Sequence, residues 1–421
     1  MDLDAVVVGA GAAGLAAAIF TLRQDSRARV ALLDGARRPG AKILISGGSR
    51  CNVTNRSVSE RDFNGGRPAA IRTILRALPV PDTVAFFAGL GVPLHEEPGG
   101  KLFPDSNRSR DVLDALLNEL GRLGGQVRAE HRVTAVRPAG AGFDIETTRG
   151  SLQAARVVLA TGGLSLPKTG SDGAGLEFAR ALGHTIVPTT PALDPMLLDP
   201  GSSASAAVSG VATPVRLDLK VAGRVAAHIS GSMLWTHFGI SGPAALDLSR
   251  HWLRADLQGA HPEVTANLQP DQTFDTLDSQ WQALTRRQPR ASLQTGLATM
   301  LPASLAALVL DRQGLEGSAI LADLTREDRR ALVHAIVGWP LPITGSRGYS
   351  YAEATAGGVD LSEIDPSTME SRRCPGVVLV GEMLDVDGRL GGFNFQWAWA
   401  SAMVAGRALA RRIAASRSVP R

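Results

Sequence analysis

Gly9-Ala10-Gly11-Ala12-Ala13-Gly14 stands between a β-branched run at 5–8 and an alanine-rich stretch at 12–23. A buried strand, a glycine turn and a helix in that order make a site for a pyrophosphate. Gly9 permits the tight turn, Gly11 lets backbone approach the diphosphate, and Gly14 lets helix and strand pack closely. Ala12 and Ala13 open the helix, whose free N–H groups and macrodipole favour an anion at its N-terminus. A second strand, 29–33, ends at Asp34, twenty residues after Gly14. Its carboxylate is placed to accept from adenosine ribose hydroxyls, which favours FAD or NAD over a 2′-phosphorylated NADP.

Later segments bear on which dinucleotide this is. Residues 40–55 are Gly-rich and polar, and read as an irregular segment, not as the crossover helix a nicotinamide dehydrogenase would continue with. Lys42, Ser46 and Asn52 could line a ligand there, or the segment is a surface loop. A second hydrophobic strand, 155–161, runs through Ala160 and Thr161 into Gly162-Gly163 and can bring backbone against the cofactor. A third, 376–380, ends in Gly381-Glu382 and leads to Gly391-Gly392-Phe393-Asn394-Phe395, which opens a long helix reaching about 412. That helix N-terminus suits the pyrimidine end of a flavin, where reduction places negative charge. Glu382 is placed to accept from ribityl hydroxyls, and backbone near Val133 to touch adenine.

These blocks, with Lys101-Leu102-Phe103-Pro104-Asp105-Ser106 and Trp235 to Pro243, resemble the BaiN/RdsA-like (YhiN-like) flavoprotein family, a branch of the glutathione-reductase-type FAD-binding proteins. The likeness spans nearly the whole chain. Its most specific parts are Ile45 to Asn55, Gly381 to Gly388 and Gly391 to Trp397. The resemblance implies non-covalent FAD and a NAD(P)/FAD-dependent oxidoreductase, with Gly9, Gly11, Gly14, Asp34, Lys42, Ser46, Asn52, Glu382 and Asn394 as cofactor contacts. Ser49 stands where many relatives are expected to carry glycine, and Phe393 where tyrosine is frequent.

The elements that must position these residues are those of an α/β protein, α+β overall. At 421 residues, 44% hydrophobic and 20% charged, the chain is a folded protein of two to three domains. We expect a discontinuous Rossmann-like FAD-binding domain over 1–190 and 343–421, an inserted β subdomain at 191–271 and a small helical subdomain at 272–342. The β part rests on a hairpin of 215–221 with 224–229 and a strand at 263–268. The helical part rests on 281–287, 291–300, 302–312 and 326–337, the last with Thr325 as N-cap. An amphipathic helix at 111–123 and a meander of 132–136 with 143–147 complete the flavin domain.

Composition narrows the partners. Net charge is +4, but forty of the forty-four basic residues are arginine, interspersed with acids. The densest basic stretch, 407–421, closes a helix and does not alternate with aromatics, so nucleic acid is not an expected partner. The uncharged run 5–22 carries the three glycines and lacks a basic flank, so neither a membrane span nor an export signal is expected. Cys51 and Cys374 are too few for a disulfide framework and form no metal cluster, which fits a reducing cytoplasm.

The sequence holds one GxGxxG and so gives no evidence of a second Rossmann domain for NADH or NADPH; either the nicotinamide visits the flavin transiently over the insertion, or another donor reduces it. The candidate acid is His237, in a segment where a β stretch turns into a helix capped by Ser241 with Pro243 in its first turn. A histidine bonded within a subdomain interface is the competing reading. Cys51 reads as buried support and not as a redox thiol. Three functions fit: hydride transfer through FAD to a small organic substrate such as an enone, tRNA modification by reduced FAD, and flavin binding without turnover.

Overall fold

The computed structural model describes residues 3–201 and 207–418. Asp2, positions 202–206 of the expected β subdomain and the tail of the basic 407–421 stretch lie outside them. The chain divides into two compact units, Met1–Thr189 with Glu353–Arg421, and Thr190–Ala352.

The first unit is built on a five-stranded parallel sheet, ordered Val377–Leu379, Val157–Leu159, Ala5–Val8, Val30–Leu33, Gln126–Arg128. The four strands other than Gln126–Arg128 are apolar at every position and fully buried, as a sheet covered on both faces requires. Helices Ala12–Gln24 and Phe393–Ser418 pack against one another. Gly406 makes that approach possible, since a Cβ there would lie 2.7 Å from the Phe20 Cβ. Leu15 and Ile19 are fully buried, each worth roughly 1.5–3 kcal/mol of transfer free energy. Val133–Ala139, Gly142–Thr147 and Gly150–Ala154 form the antiparallel meander.

One expectation is corrected. Residues 40–55 are not irregular throughout, because Ala41–Ser49 is helical with a break at Ser46, Gly47 and Gly48. Gly40, left-handed at the N-cap, sits where a Cβ would meet Leu113 at 2.4 Å, and Ile43 is buried. Tertiary packing on helix Ser109–Arg122 thus supplies what the glycine-rich composition hides.

The second unit carries a seven-stranded antiparallel sheet: Trp339–Leu341, Glu263–Asn267, Ala212–Val221, Arg224–Thr236, Gly239–Ser241, Met196–Leu198, Ile343–Ser346. Its long hairpin turns at Ala222-Gly223, both left-handed. Helices Phe274–Arg287, Leu293–Ala298 and Arg326–Val337 start at Thr273, Ser292 and Thr325, whose side chains accept from backbone N–H groups. Strand residues such as Leu217 and Trp235 share one core with helix residues Trp281, Leu305 and Ile336. Ser241 departs from its expected role: it holds the N-cap position of helix Gly242–Leu257, yet its side chain makes no cap bond. Its backbone is extended and paired with Leu234, as the end of a strand.

Candidate functional site

The parallel sheet collects the expected cofactor segments along one edge. The carboxyl ends of adjacent strands lead, in spatial order, to Gly381-Glu382, Ala160-Thr161-Gly162, Gly9 to Gly14, and Asp34. Strand Ala5–Val8 lies between neighbours reached by connections of opposite direction, where an open α/β sheet leaves a crevice for ligand. The glycines of the first turn divide by what surrounds them. A Cβ on Gly14 would lie 1.9 Å from the Gly9 carbonyl oxygen, and one on Gly9, at φ +101°, 2.5 Å from that of Ala160. At Gly11 nothing lies within 4 Å, so a Cβ there would fill the cradle in front of the helix and not protein. That helix has no side-chain cap and no acid in its first turn, so its N–H groups suit a diphosphate.

Asp34 is pinned. Its carboxylate accepts from the N–H of Ala10 at 2.9 Å and of Ala36 at 2.8 Å, which locks the end of the second strand to the glycine turn. Its own carbonyl accepts from His131 N–H at 2.8 Å, two residues before the buried Val133. On the other side, a Cβ on Gly381 would meet that of Ala13 at 2.8 Å, and one on Gly162 would lie 3.9 Å from Glu382 Oε2.

Lys42 and Glu382 meet directly. Lys42 Nζ lies 2.7 Å from both Glu382 Oε2 and Ser165 Oγ, while Glu382 Oε1 accepts from Ser165 Oγ at 2.8 Å and Thr355 N–H at 3.0 Å. The pair is only partly exposed, 25% for Lys42 and 17% for Glu382, so its attraction is far less screened than that of a surface bridge. Ser165 and Thr355 escaped the sequence reading. Thr355 Oγ1 accepts from the N–H groups of Leu164 and Ser165 at 2.8 and 3.1 Å. Their one local signal is the double glycine Gly357-Gly358, left-handed at both positions.

At the far end, Asn52 to Asn55 dock on the start of helix Phe393–Ser418. Asn55 Nδ2 donates to the Gly391 carbonyl at 3.0 Å, Thr54 Oγ1 to Gln396 Oε1 at 2.7 Å, and Trp399 Nε1 to the Val53 carbonyl at 2.9 Å. Gly392, at φ +92°, passes so close to the Thr54 carbonyl oxygen that a Cβ would stand 2.5 Å away. Asn52 Oδ1 is buried with no hydrogen-bond partner among the described residues, 2.9 Å from that same Cβ position. A buried acceptor costs about 1–3 kcal/mol when unpaired. It faces the segment expected to meet the flavin, and a ligand N–H would satisfy it.

Three expected contacts hold protein instead through their side chains. Asn394 exchanges two bonds with the Gly388 backbone, at 2.8 and 3.0 Å. Phe393 is wholly buried and meets Phe63 edge-on, and Phe395 stacks on Trp399. The Phe393 side chain is closed to a ligand, whereas those of Asn394 and Phe395 stay partly exposed. Ser46 Oγ donates to the Ile43 carbonyl at 2.8 Å. Burial pushes the Cys51 thiol up to about 12, so it is a neutral packing group at physiological pH. His237 is exposed and lies in the second unit, its ring edge-on to Phe238, whereas every expected cofactor contact lies in the first. Among the described residues no cluster of His, Cys, Asp or Glu could hold a metal, and no helix is long and apolar enough to cross a membrane.

A family model described as the HI0933-like protein Rossmann domain matches residues 3–408. The chain belongs to the HI0933-like family. Membership makes it an FAD-binding oxidoreductase of Rossmann type, in line with the resemblance read from its motifs. It is 34% identical over 406 residues to a 3-dehydro-bile acid delta(4,6)-reductase of Clostridium scindens, covering 96% of this chain and 98% of that one. It is equally 34% identical over 401 residues to a ribosomal RNA dihydrouridine synthase of Escherichia coli, covering 95% and 96%. Among solved structures, an E. coli quinol fumarate reductase shares the fold at a TM-score of 0.52 and 16% identity, over 100% of this chain and 72% of that one.

Proposed function

We propose that this protein uses FAD, reduced by NADH or NADPH, to saturate a carbon–carbon double bond conjugated to a carbonyl in a small organic substrate. What carries the reading is the single row of segments, Gly9 to Gly14, Asp34, Ala160 to Gly162 and Gly381-Glu382, at one sheet edge with the Lys42–Glu382 pair within it. The two relatives named above support the bond class. A delta(4,6) reductase and a dihydrouridine synthase each act on an alkene activated by a neighbouring carbonyl.

Bound FAD supplies the hydride. The chain's residues bind, orient and handle protons. The helix N-terminus behind Gly11 holds the diphosphate, and Asp34 keeps the glycine turn in place. Lys42 Nζ bridges Ser165 and Glu382, and so fixes the orientation of the Glu382 carboxylate in the row. Asn52 Oδ1 takes a hydrogen bond from the ligand.

A small substrate is favoured over RNA by the charge of the second unit, where residues 190–352 carry thirteen basic against fourteen acidic side chains. The free thiols of Cys51 and Cys374 suit a reducing cytoplasm. The test is anaerobic stopped-flow spectroscopy of the yellow protein with NADH and NADPH, then reoxidation by a panel of enones and uridine nucleotides. Bleaching by a nicotinamide and recovery with an enone are expected, with a product heavier by two hydrogens. Failure of every conjugated carbonyl to reoxidise the enzyme would overturn the reading, and salt-sensitive retention of RNA would replace the small substrate.

A further inference from the structure

Two buried hydroxyls stand behind the Lys42–Glu382 pair, and all four residues belong to the first unit. Ser165 is fully buried and Thr355 is 1% exposed, whereas the pair itself keeps part of its surface. Thr355 lies in strand Ala354–Val359, which is buried at every position. That strand runs close along the turn that carries Glu382, since a Cβ on Gly358 would lie 2.5 Å from the Met383 carbonyl oxygen. From the other side the loop after Thr161 presses onto the same strand. A Cβ on Gly163 would lie 2.4 Å from Thr355 Oγ1, so this glycine makes room for the threonine.

The hydrogen bonds run from the interior outward. Thr355 Oγ1 accepts from the backbone N–H groups of Leu164 at 2.8 Å and Ser165 at 3.1 Å, which places Ser165. Ser165 Oγ then lies 2.7 Å from Lys42 Nζ and 2.8 Å from Glu382 Oε1. Its hydroxyl accepts from the ammonium and donates to the carboxylate. The competing acceptor for that proton, the Glu353 carbonyl, is farther away at 3.4 Å. Thr355 N–H donates to the same Oε1 at 3.0 Å, while Oε2 meets Lys42. One carboxylate oxygen is thus held by two donors from the interior, and the other lies towards Lys42 and Gly162, whose Cβ position is 3.9 Å from it. A glutamate side chain has several rotatable bonds, and donors that hold it before a ligand arrives remove that entropy cost from binding.

We infer that Ser165 and Thr355 are positioning residues for Glu382, holding its carboxylate in the one orientation in which Oε2 is presented to the polyol chain of FAD. The inference rests on FAD as the ligand of the row and on Glu382 as its polyol contact, and it is independent of the conjugated-carbonyl substrate. Its consequence is selectivity within the cofactor. The diphosphate and the adenosine end are served by the glycine turn and Asp34, which hold each other through bonds of their own. Ser165 and Thr355 act on the part of FAD that ADP lacks.

The test is titration of the full-length chain, stripped of flavin, with FAD and with ADP, which carries the diphosphate and adenosine but no polyol. Ser165→Ala removes a donor to Oε1 and should weaken FAD by about tenfold, with ADP within about twofold of wild type. Thr355→Val keeps its backbone donor but deprives two buried N–H groups of their acceptor, and should move the FAD-to-ADP ratio in the same direction. Thr355→Ser keeps the oxygen and should stay within about twofold of wild type. Glu382→Ala should weaken FAD as well. Adding Ser165→Ala to it should cost no further affinity, because a positioning residue has no effect once the group it positions is gone. If Thr355→Val fails to fold, Ser165→Ala and this double-mutant cycle decide alone.

The inference is overturned if Ser165→Ala leaves FAD affinity unchanged, if FAD and ADP weaken together, or if the loss persists in the Glu382→Ala background. A wild-type chain that takes up no FAD would overturn the cofactor reading and this inference with it. Reoxidation by conjugated carbonyls plays no part in these titrations, so failure of the substrate reading is told apart from failure of the positioning role.

Discussion

The two units treat their buried polar atoms differently. In the first, Glu382 receives Lys42, Ser165 and Thr355, and Glu363 receives His184, Thr185 and Arg373. Asn52 Oδ1 is the exception, and it sits among the expected cofactor contacts. In the second unit the buried Asp194 Oδ1 and the indole N–H groups of Trp235, Trp252 and Trp281 have no hydrogen-bond partner among the described residues. A cofactor that stays bound rewards a rigid, fully bonded frame. The unpaired groups of the second unit are interior, with Asp194, Trp235 and Trp281 at 0% and Trp252 at 5% exposure, so they cost that core stability which the bonded frame of the first unit keeps.

The strongest way to break this comparison is at the glycine turn. Gly14→Ala drives a Cβ into the Gly9 carbonyl, and a loss of about 3 kcal/mol or more in urea unfolding is expected, with colourless protein after purification. Gly11→Ala meets no protein atom. It should keep the urea midpoint of the flavin-free protein and weaken FAD by about tenfold or more in a fluorescence titration. If both variants unfold alike, the cradle assignment of Gly11 fails.

Acid titration sharpens the contrast because the two units respond with opposite sign. Glu363 is held down to about 2 from 4.5: burial opposes this, but hydrogen bonds from Thr185, Arg373 and His184 outweigh it. Its carboxylate therefore contributes stability that is full above about pH 4.5 and lost as pH falls towards 2. Asp194, raised from 3.8 to about 6, acts the other way, and stability declines as pH rises through that window. Each is worth up to about 3 kcal/mol. In urea melts across pH 3 to 7, Glu363→Gln should flatten the acid slope of the first unit, and Asp194→Asn the rising-pH slope of the second.

A smaller effect is expected at the ion pair. Lys42→Met leaves Glu382 with Ser165 and Thr355 as donors, so a loss of about 1–2 kcal/mol in stability is expected, with weaker FAD retention. Least of all, His237→Gln touches an exposed ring whose one recorded ring contact is Phe238. Its unfolding free energy should stay within about 0.5 kcal/mol, so any slowing of reoxidation would read chemistry alone.

Much of the first unit was legible because its signals are local. Gly9 to Gly14, Asp34 and the β-branched strands carry their conformation in a few consecutive residues, and the N-cap Thr325 is equally readable. The helix Ala41–Ser49 was not, because Gly47 and Gly48 mask a turn that forms only against Leu113 and the helix Ser109–Arg122. Ser165 and Thr355 were invisible for the same reason: they join Glu382 across 217 and 27 positions.

The amino-acid order by itself determined the dinucleotide turn, the parallel strands and the flavoprotein family, since glycine freedom, β-branching and helix capping act within a few residues. Only the tertiary structure decided which polar groups meet. It paired Lys42 with Glu382, turned the Asn394 amide onto Gly388, and clamped Arg347 between Phe238 and Tyr351. Those contacts depend on strand order and helix packing, which bring distant residues within hydrogen-bond range and have no counterpart in local spacing.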